Sequence, residues 1–104
     1  MASGRERRLA YEGAVRALRQ DAEALLAGGA DEPEVARTLV QRRNAIKRSF
    51  RDSDPPEIVQ LMEARNLAKY GDPLGPDAEW LFAKYGSWRL VIEAACRPAN
   101  LRDL

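Results

Sequence analysis

The sequence predicts an all-α fold, a compact bundle of three main helices followed by two short C-terminal helices. Apolar residues recur every three or four positions through the first 70 residues, as on the buried side of a helix. Ser3, Asp31 and Asp54 stand before these periodic segments, and each is followed three positions later by a glutamate, which is the capping-box pattern. Alternation with a period of two is not sustained anywhere in the sequence, which disfavours β-strands.

The first two helices are bounded by clear start and stop signals. Ser3 opens the first helix, which we expect over residues 4–27, and the glycine pair at 28–29 ends it. Asp31 opens the second, which we expect over residues 32–51, because a Pro-rich run follows it and cannot continue a helix.

The third helix is expected over residues 56–70, after a cap at Asp54 and before a stop at Gly71. Ile58 and Leu61 share one side of this helix, whereas Leu67 points nearly opposite. We therefore expect this helix to be buried on two sides.

A turn with two prolines, GDPLGP at 71–76, separates this helix from two short ones. We expect these helices over about 77–85 and 88–96, with Ser87 as the cap of the last. All five helices are expected to form one domain over residues 1–104, since a chain of this length supports a single modest core.

Composition excludes several classes of function. The chain has 17 basic and 16 acidic residues, a net charge of +1, so a nucleic-acid partner must be met by a local patch. It has no histidine, which removes His-based metal sites and Ser-His or Cys-His nucleophile pairs. The single cysteine, Cys96, cannot form an internal disulfide, and no apolar run approaches the about 20 residues of a membrane span.

These features lead to expectations about location and cofactors. The first residues lack the apolar run of a signal peptide, so we expect a soluble protein of the cytoplasm, or one delivered to a target cell's cytoplasm by a specialised secretion system. We expect no membrane association, no metal site and no cofactor.

The second helix carries the first candidate binding residues. Arg43 and Lys47 are one turn apart, and Arg51 continues the same stripe beside the apolar face. Cations in this pattern could hold a phosphate backbone. The alternative is a solvated helix face whose charges pair with Glu57, Glu63 or the acidic residues of the first helix.

The end of the third helix carries the second set. Arg65 and Lys69 lie one turn apart, and Tyr70 and Asp72 follow at the sharp turn. The two cations are predicted to bind an anion, and Tyr70 and Asp72 are the candidate catalytic groups that would position a reacting hydroxyl. Alternatively, the cations only complement the helix dipole and Asp72 only opens the turn.

Aromatic residues cluster in the C-terminal third of the chain. Five of the seven fall within 19 residues: Tyr70, Trp80, Phe82, Tyr85 and Trp88. Rings near cations can stack on nucleic-acid bases. They can equally form the core under the short helices.

The run RNLAKYGDPLGPDAEWLFAKYGSWRLVIEAACRP at 65–98 resembles a C-terminal toxin-tail domain of bacterial polymorphic toxins, of the RHS-repeat and contact-dependent type. The resemblance implies an interchangeable toxic module, in many members a nuclease, that is matched by an immunity protein. It implies no particular catalytic residues.

Three functions stand as alternatives from the sequence. One is a toxin-type effector acting on nucleic acid through a cationic groove, with nucleic acid and a cognate immunity protein as partners. The second is a non-catalytic helical module that binds protein or nucleic acid. The third is an antitoxin or immunity protein, which the net charge of +1 disfavours. Whether the chain is an enzyme is left open. Convergence of the six candidate residues on one cleft would favour chemistry, and scatter would favour binding or a structural role.

Overall fold

The computed structural model describes residues 4–51 and 54–98, and over these ranges it contains five α-helices and no β-strand. The helices are α1 (Gly4–Ala27), α2 (Glu32–Arg51), α3 (Pro56–Tyr70), α4 (Ala78–Tyr85) and α5 (Trp88–Ala95). The all-α prediction is confirmed, and each helix begins and ends within one residue of its expected bounds. None of the helices in the described ranges is long and apolar enough to cross a membrane.

The core lies where α2 packs between α1 and α5, and α4 closes one end against α5. Buried apolar side chains come from α1, α2, α4 and α5: Tyr11, Val15, Leu18, Val35, Ala36, Leu39, Val40, Leu81, Val91 and Ile92. Each large aliphatic or aromatic side chain among them contributes about 1.5–3 kcal/mol by leaving water. Most of the apolar surface that stabilises the fold is therefore buried at the contacts among these four helices.

Side-chain caps fix the start of three helices. The backbone N–H of Glu34 donates to Asp31 Oδ1 at 2.9 Å, which confirms the predicted cap of α2. Trp80 N–H donates to Asp77 Oδ1 at 2.8 Å at the start of α4, so Asp77 is the cap and not the first helical residue. Leu90 N–H donates to Ser87 Oγ at 3.4 Å, as predicted for α5.

The predicted capping box at Asp54 is wrong. The N-cap of α3 is Pro55, and no side-chain hydrogen bond caps this helix. Asp54 pairs instead with Arg7 of α1 at 2.8 Å, because the carboxylate is better satisfied by a guanidinium than by the backbone next to two prolines. The cap expected at Ser3 lies outside the described residues.

The prediction that α3 is buried on two sides is also wrong. Asn66 is its single buried residue, whereas Ile58, Leu61 and Leu67 are 46%, 68% and 55% exposed. The extensive helix packing joins the other four helices, and the apolar side of α2 is already covered by α1 and α5. An apolar stripe in the sequence does not show whether another helix packs against it.

The corner at 71–76 attaches α3 to the rest of the molecule. Gly71 ends α3 with a left-handed φ of 75°, and its N–H donates to Leu67 O at 2.9 Å. The carbonyl of Pro73 then accepts from Arg51 Nη1 at 2.9 Å and from Asn66 Nδ2 at 3.1 Å. The corner is thereby held on the C-terminal end of α2, and this placement shapes the site described next.

Candidate functional site

A cleft of about 250 Å³ lies between α2, the end of α3, α4, the end of α5 and the 71–76 corner. We call it the Lys47 cleft. Its charged lining residues are all cations, namely Arg43, Lys47, Lys84 and Arg97. Its aromatic lining residues are Tyr70, Trp80 and Tyr85. A cleft with four cations and no lining carboxylate has the electrostatic character of an anion-binding site.

Lys47 is the most unusual of these cations. Its side chain is only 4% exposed, and no ion pair or hydrogen bond reaches it from the described part of the chain. Burial, together with the positive charges of Arg43 and Arg51, lowers the pKa of Lys47 from 10.5 to about 7. A positive charge without a counter-ion is costly at this position, and an anion bound in the cleft would favour the charged form of Lys47.

The backbone of the 71–76 corner covers Lys47. Gly75 is buried and has a left-handed φ of 118°, and a Cβ atom at this position would lie 3.1 Å from Lys47 Nζ. Only glycine fits here, because a larger residue would be strained and would press on the ammonium. The local sequence therefore supports the close approach of this turn to Lys47.

The remaining cations of the Lys47 cleft form no salt bridge in the described ranges, although the charge of Arg97 helps to lower the pKa of Glu93. Arg43 is half-buried, and its buried Nε has no hydrogen-bond partner. Lys84 and Arg97 are exposed at the rim. The Lys84 Nζ atom lies 5.8 Å from the ring centre of Trp80 and 5.4 Å from that of Tyr85, within cation–π range.

The basic stretch of α2 divides into paired and unpaired residues. Arg37 bonds Glu79 at 2.6 Å, and Arg42 bonds Asp21 of α1 at 3.1 Å. The alternative of a surface charge paired with a first-helix acid is therefore correct for Arg42, whereas Arg37 pairs with an α4 carboxylate that was not among the expected partners. Arg43 and Lys47 face the cleft without such a partner.

Arg51 does not continue the stripe as a binding residue. Its side chain is 2% exposed and turns inward to Pro73 O. Two of its guanidinium nitrogens, Nε and Nη2, are buried without hydrogen-bond partners, and burial lowers its pKa. Arg51 therefore holds the corner in place and is inaccessible to a ligand.

Another cleft, of about 320 Å³, adjoins the first, and we call it the Arg65 cleft. It is lined by Arg65, Asn66, Lys69 and Tyr70. The Lys69 Nζ atom lies 5.2 Å from the Tyr70 ring centre. Asn66 and Tyr70 line both clefts, so the two cationic surfaces meet at these residues.

The six predicted site residues are therefore brought together in part. Arg43, Lys47 and Tyr70 line the Lys47 cleft, and Arg65, Lys69 and Tyr70 line the Arg65 cleft. Asp72 lines neither. Its Oδ1 accepts from the N–H of Leu74 at 2.7 Å, which is the turn-forming role that the sequence offered as the alternative.

Tyr70 has a packing role as well as a place in both clefts. Its ring is half-buried and meets the ring of Trp80 edge to face, with centroids 4.8 Å apart. This contact joins the end of α3 to α4 and forms the aromatic wall of the Lys47 cleft.

Sequence reasoning missed Lys84 and Arg97. Lys84 follows Trp80 by one helical turn, a spacing that could have suggested a shared cation and ring surface. Arg97 has no comparable signal, because its place in the cleft depends on how α5 packs on α2. No group of three or more metal-ligating side chains occurs among the residues that the structure describes.

Comparison with known proteins gives no relative: no family model, curated protein or solved structure matches the chain. The resemblance of residues 65–98 to polymorphic toxin tails, with its implied effector role and immunity partner, therefore stays a prediction.

Proposed function

We propose that the protein is a nucleic-acid-binding module that holds a single-stranded segment across the Lys47 cleft and the Arg65 cleft. The observation that carries this proposal is the set of four cations around the Lys47 cleft, one of them buried and unpaired, with no carboxylate among the lining residues. Phosphate groups are the anions that Lys and Arg bind together in this way.

The aromatic rings favour a nucleic acid over other anions. Trp80 and Tyr85 line the same cleft as the cations, so a bound phosphate would bring its neighbouring base within reach of a ring. Stacking of a base on such a ring contributes about 1–3 kcal/mol and tolerates any base. An acidic peptide would use the cations but would gain less from the rings.

The shape favours a single strand. Bases in a duplex are stacked and paired, and their flat faces cannot reach a ring inside a cleft. The Arg65 cleft adjoins the first at Tyr70, so the backbone that leaves one cationic cleft can continue into the other. The proposal is for binding, since the Asp72 carboxylate is engaged in the turn and is not directed into either cleft.

Removal of two cleft charges tests this proposal. We expect the double variant Arg43→Gln, Lys84→Gln to bind a short single-stranded oligonucleotide at least about tenfold more weakly, because two phosphate contacts are lost. The slope of log K against log salt should also become shallower, by about 0.7 for each lost contact. Fluorescence anisotropy over a series of salt concentrations measures both quantities.

A matched control removes two charges elsewhere. Arg8 and Arg16 are exposed on α1, pair loosely with Glu12 at 3.9 and 3.6 Å, and line neither cleft. The variant Arg8→Gln, Arg16→Gln has the same net charge as the cleft variant and should bind almost as the parent does. Equal weakening in both variants would mean that the overall charge of the protein attracts the strand. Tighter binding of a polyglutamate peptide than of the oligonucleotide would assign the cleft to an acidic protein partner.

A further inference from the structure

The Lys47 cleft has an inner end and an open rim. Lys47 is 4% exposed and lies at the inner end, whereas Tyr85, Lys84 and Arg97 are exposed at the rim. The backbone of Gly75 is buried and lies close to the Lys47 ammonium, since a Cβ atom at Gly75 would be 3.1 Å from Nζ. Because Lys47 is so deeply buried, a group that reaches it has little room for further chain beside it.

The volume of the cleft agrees with one small group and its immediate neighbour. About 250 Å³ is slightly below the range of about 300–1,000 Å³ that is usual for small-molecule sites. A phosphodiester inside a strand has chain on both sides and would need two exits. A terminal phosphate has chain on one side only, so it needs less of the limited space beside the buried Lys47.

The charge of the cleft agrees with the same group. A phosphomonoester carries about −1.5 to −2 charges near pH 7, more than the single charge of a phosphodiester. The inner lysine has no counter-ion among the described residues, and Arg43 beside it has a buried Nε without a partner. A doubly charged phosphate would match the positive charges of Lys47 and Arg43, and Arg97 and Lys84 at the rim would add to the attraction.

We propose that the inner end of the Lys47 cleft binds the terminal phosphate of a nucleotide, with Lys47 and Arg43 on the phosphate and the adjoining base at Trp80 and Tyr85. This inference rests on the proposed function and adds a specificity for phosphorylated ends. The same chemistry is present in a phosphorylated strand end and in a free mononucleotide, and the Arg65 cleft beside the site favours the strand end.

Oligonucleotides of one sequence that differ only at their ends test the inference. They carry a 5′-phosphate, a 3′-phosphate or two hydroxyl ends, and a fourth, hydroxyl-ended oligonucleotide is two nucleotides longer to match the added charge. We expect one phosphorylated end to bind the parent protein at least about tenfold tighter than the matched hydroxyl-ended strand. Lys47→Met should abolish this preference and keep the weaker binding of the hydroxyl-ended strands.

The outcomes separate this inference from the proposed function. Equal affinity of phosphorylated and charge-matched hydroxyl-ended strands would overturn the terminal-phosphate site and leave the nucleic-acid proposal standing. No binding of any oligonucleotide would overturn both. Competition by a free mononucleotide as strong as that of the phosphorylated strand would support the phosphate site but assign it to free nucleotides.

If Lys47→Met fails to fold by circular dichroism, Arg97→Gln at the exposed rim should still reduce the preference for the phosphorylated end. An unchanged preference would contradict the site.

Discussion

Replacement of Lys47 by methionine is expected to stabilise the fold at pH 6, by about 2–4 kcal/mol in the free energy of unfolding. The parent protein must bury a positive charge there without a counter-ion, because the Lys47 side chain is 4% exposed and unpaired among the described residues. Methionine has a similar length, fills the same space and carries no charge. The substitution therefore removes the cost of the buried ammonium without opening a cavity.

The advantage of this variant should disappear as the pH rises. The pKa of Lys47 is about 7 in the folded chain and 10.5 as its ordinary value. Between these pH values the unfolded chain keeps a proton that the folded chain has released, so the stability of the parent increases with pH across this window. Below pH 7 both states are protonated and the full cost of burial is present.

Urea unfolding at pH 6, 8 and 10 measures the effect. The difference between Lys47→Met and the parent should fall by about 2–4 kcal/mol over this range. Lys84→Met is the matched control, since it removes an exposed ammonium from the rim of the same cleft and should change stability by less than about 0.5 kcal/mol. A stability difference for Lys47→Met that is independent of pH would show that Lys47 is not a buried, unpaired cation.

The substitution Leu39→Ala should lower the free energy of unfolding by about 2–5 kcal/mol. Leu39 is fully buried in the middle of α2, the helix that packs on both α1 and α5. Its loss removes apolar burial and leaves a cavity that three packed helices cannot close. Guanidinium or thermal unfolding followed by circular dichroism measures this loss.

Leu61→Ala is the matched control for this prediction. The chemical change is the same, but Leu61 is 68% exposed on α3, so we expect a change within about 0.5 kcal/mol. Equal losses at the two positions would mean that α3 packs into the core. Asn66 and Tyr70 of α3 line both clefts, so the shape of the clefts would then differ from the one described.

Local signals in the sequence were sufficient for the helices. Caps at Asp31 and Ser87 and a stop at Gly71 act through neighbouring backbone groups, so they can be read without knowledge of the tertiary structure. The failure at Asp54 has the opposite cause. Its carboxylate forms an ion pair with Arg7, which lies more than 40 residues away in the sequence. A local sequence pattern cannot predict such a partner.

Side-chain burial was predicted less well, because it depends on which faces find a neighbour. The exposed stripe of α3 and the buried Arg51 are the clearest examples. On a helical wheel Arg51 belongs with Arg43 and Lys47, but the 71–76 corner lies on the end of α2 and turns Arg51 into a structural donor. A stripe of like charges therefore contains one structural and two candidate binding residues.

The candidate site was predictable as far as pairs of cations one helical turn apart show it. Arg43 with Lys47 and Arg65 with Lys69 were identified in this way, and all four line the two clefts. Lys84 and Arg97 complete the first cleft only because α4 and the end of α5 pack beside α2. The burial of Lys47 distinguishes this cleft from an exposed charged surface. It results from the packing of the helices, so it could not be predicted from the sequence pattern.

Mapping of the bound strand by NMR tests the central claim, that the Lys47 cleft is the binding site, most directly. Amide and indole chemical shifts of the labelled protein are followed during titration with a 5′-phosphorylated single-stranded oligonucleotide. We predict that the largest changes occur at Lys47, Gly75 and the Trp80 indole, with smaller ones at Lys69, and none at Arg16 on the outer side of α1. Changes centred on α1 or on the exposed apolar side of α3, or an absence of changes at saturating oligonucleotide, would contradict the account.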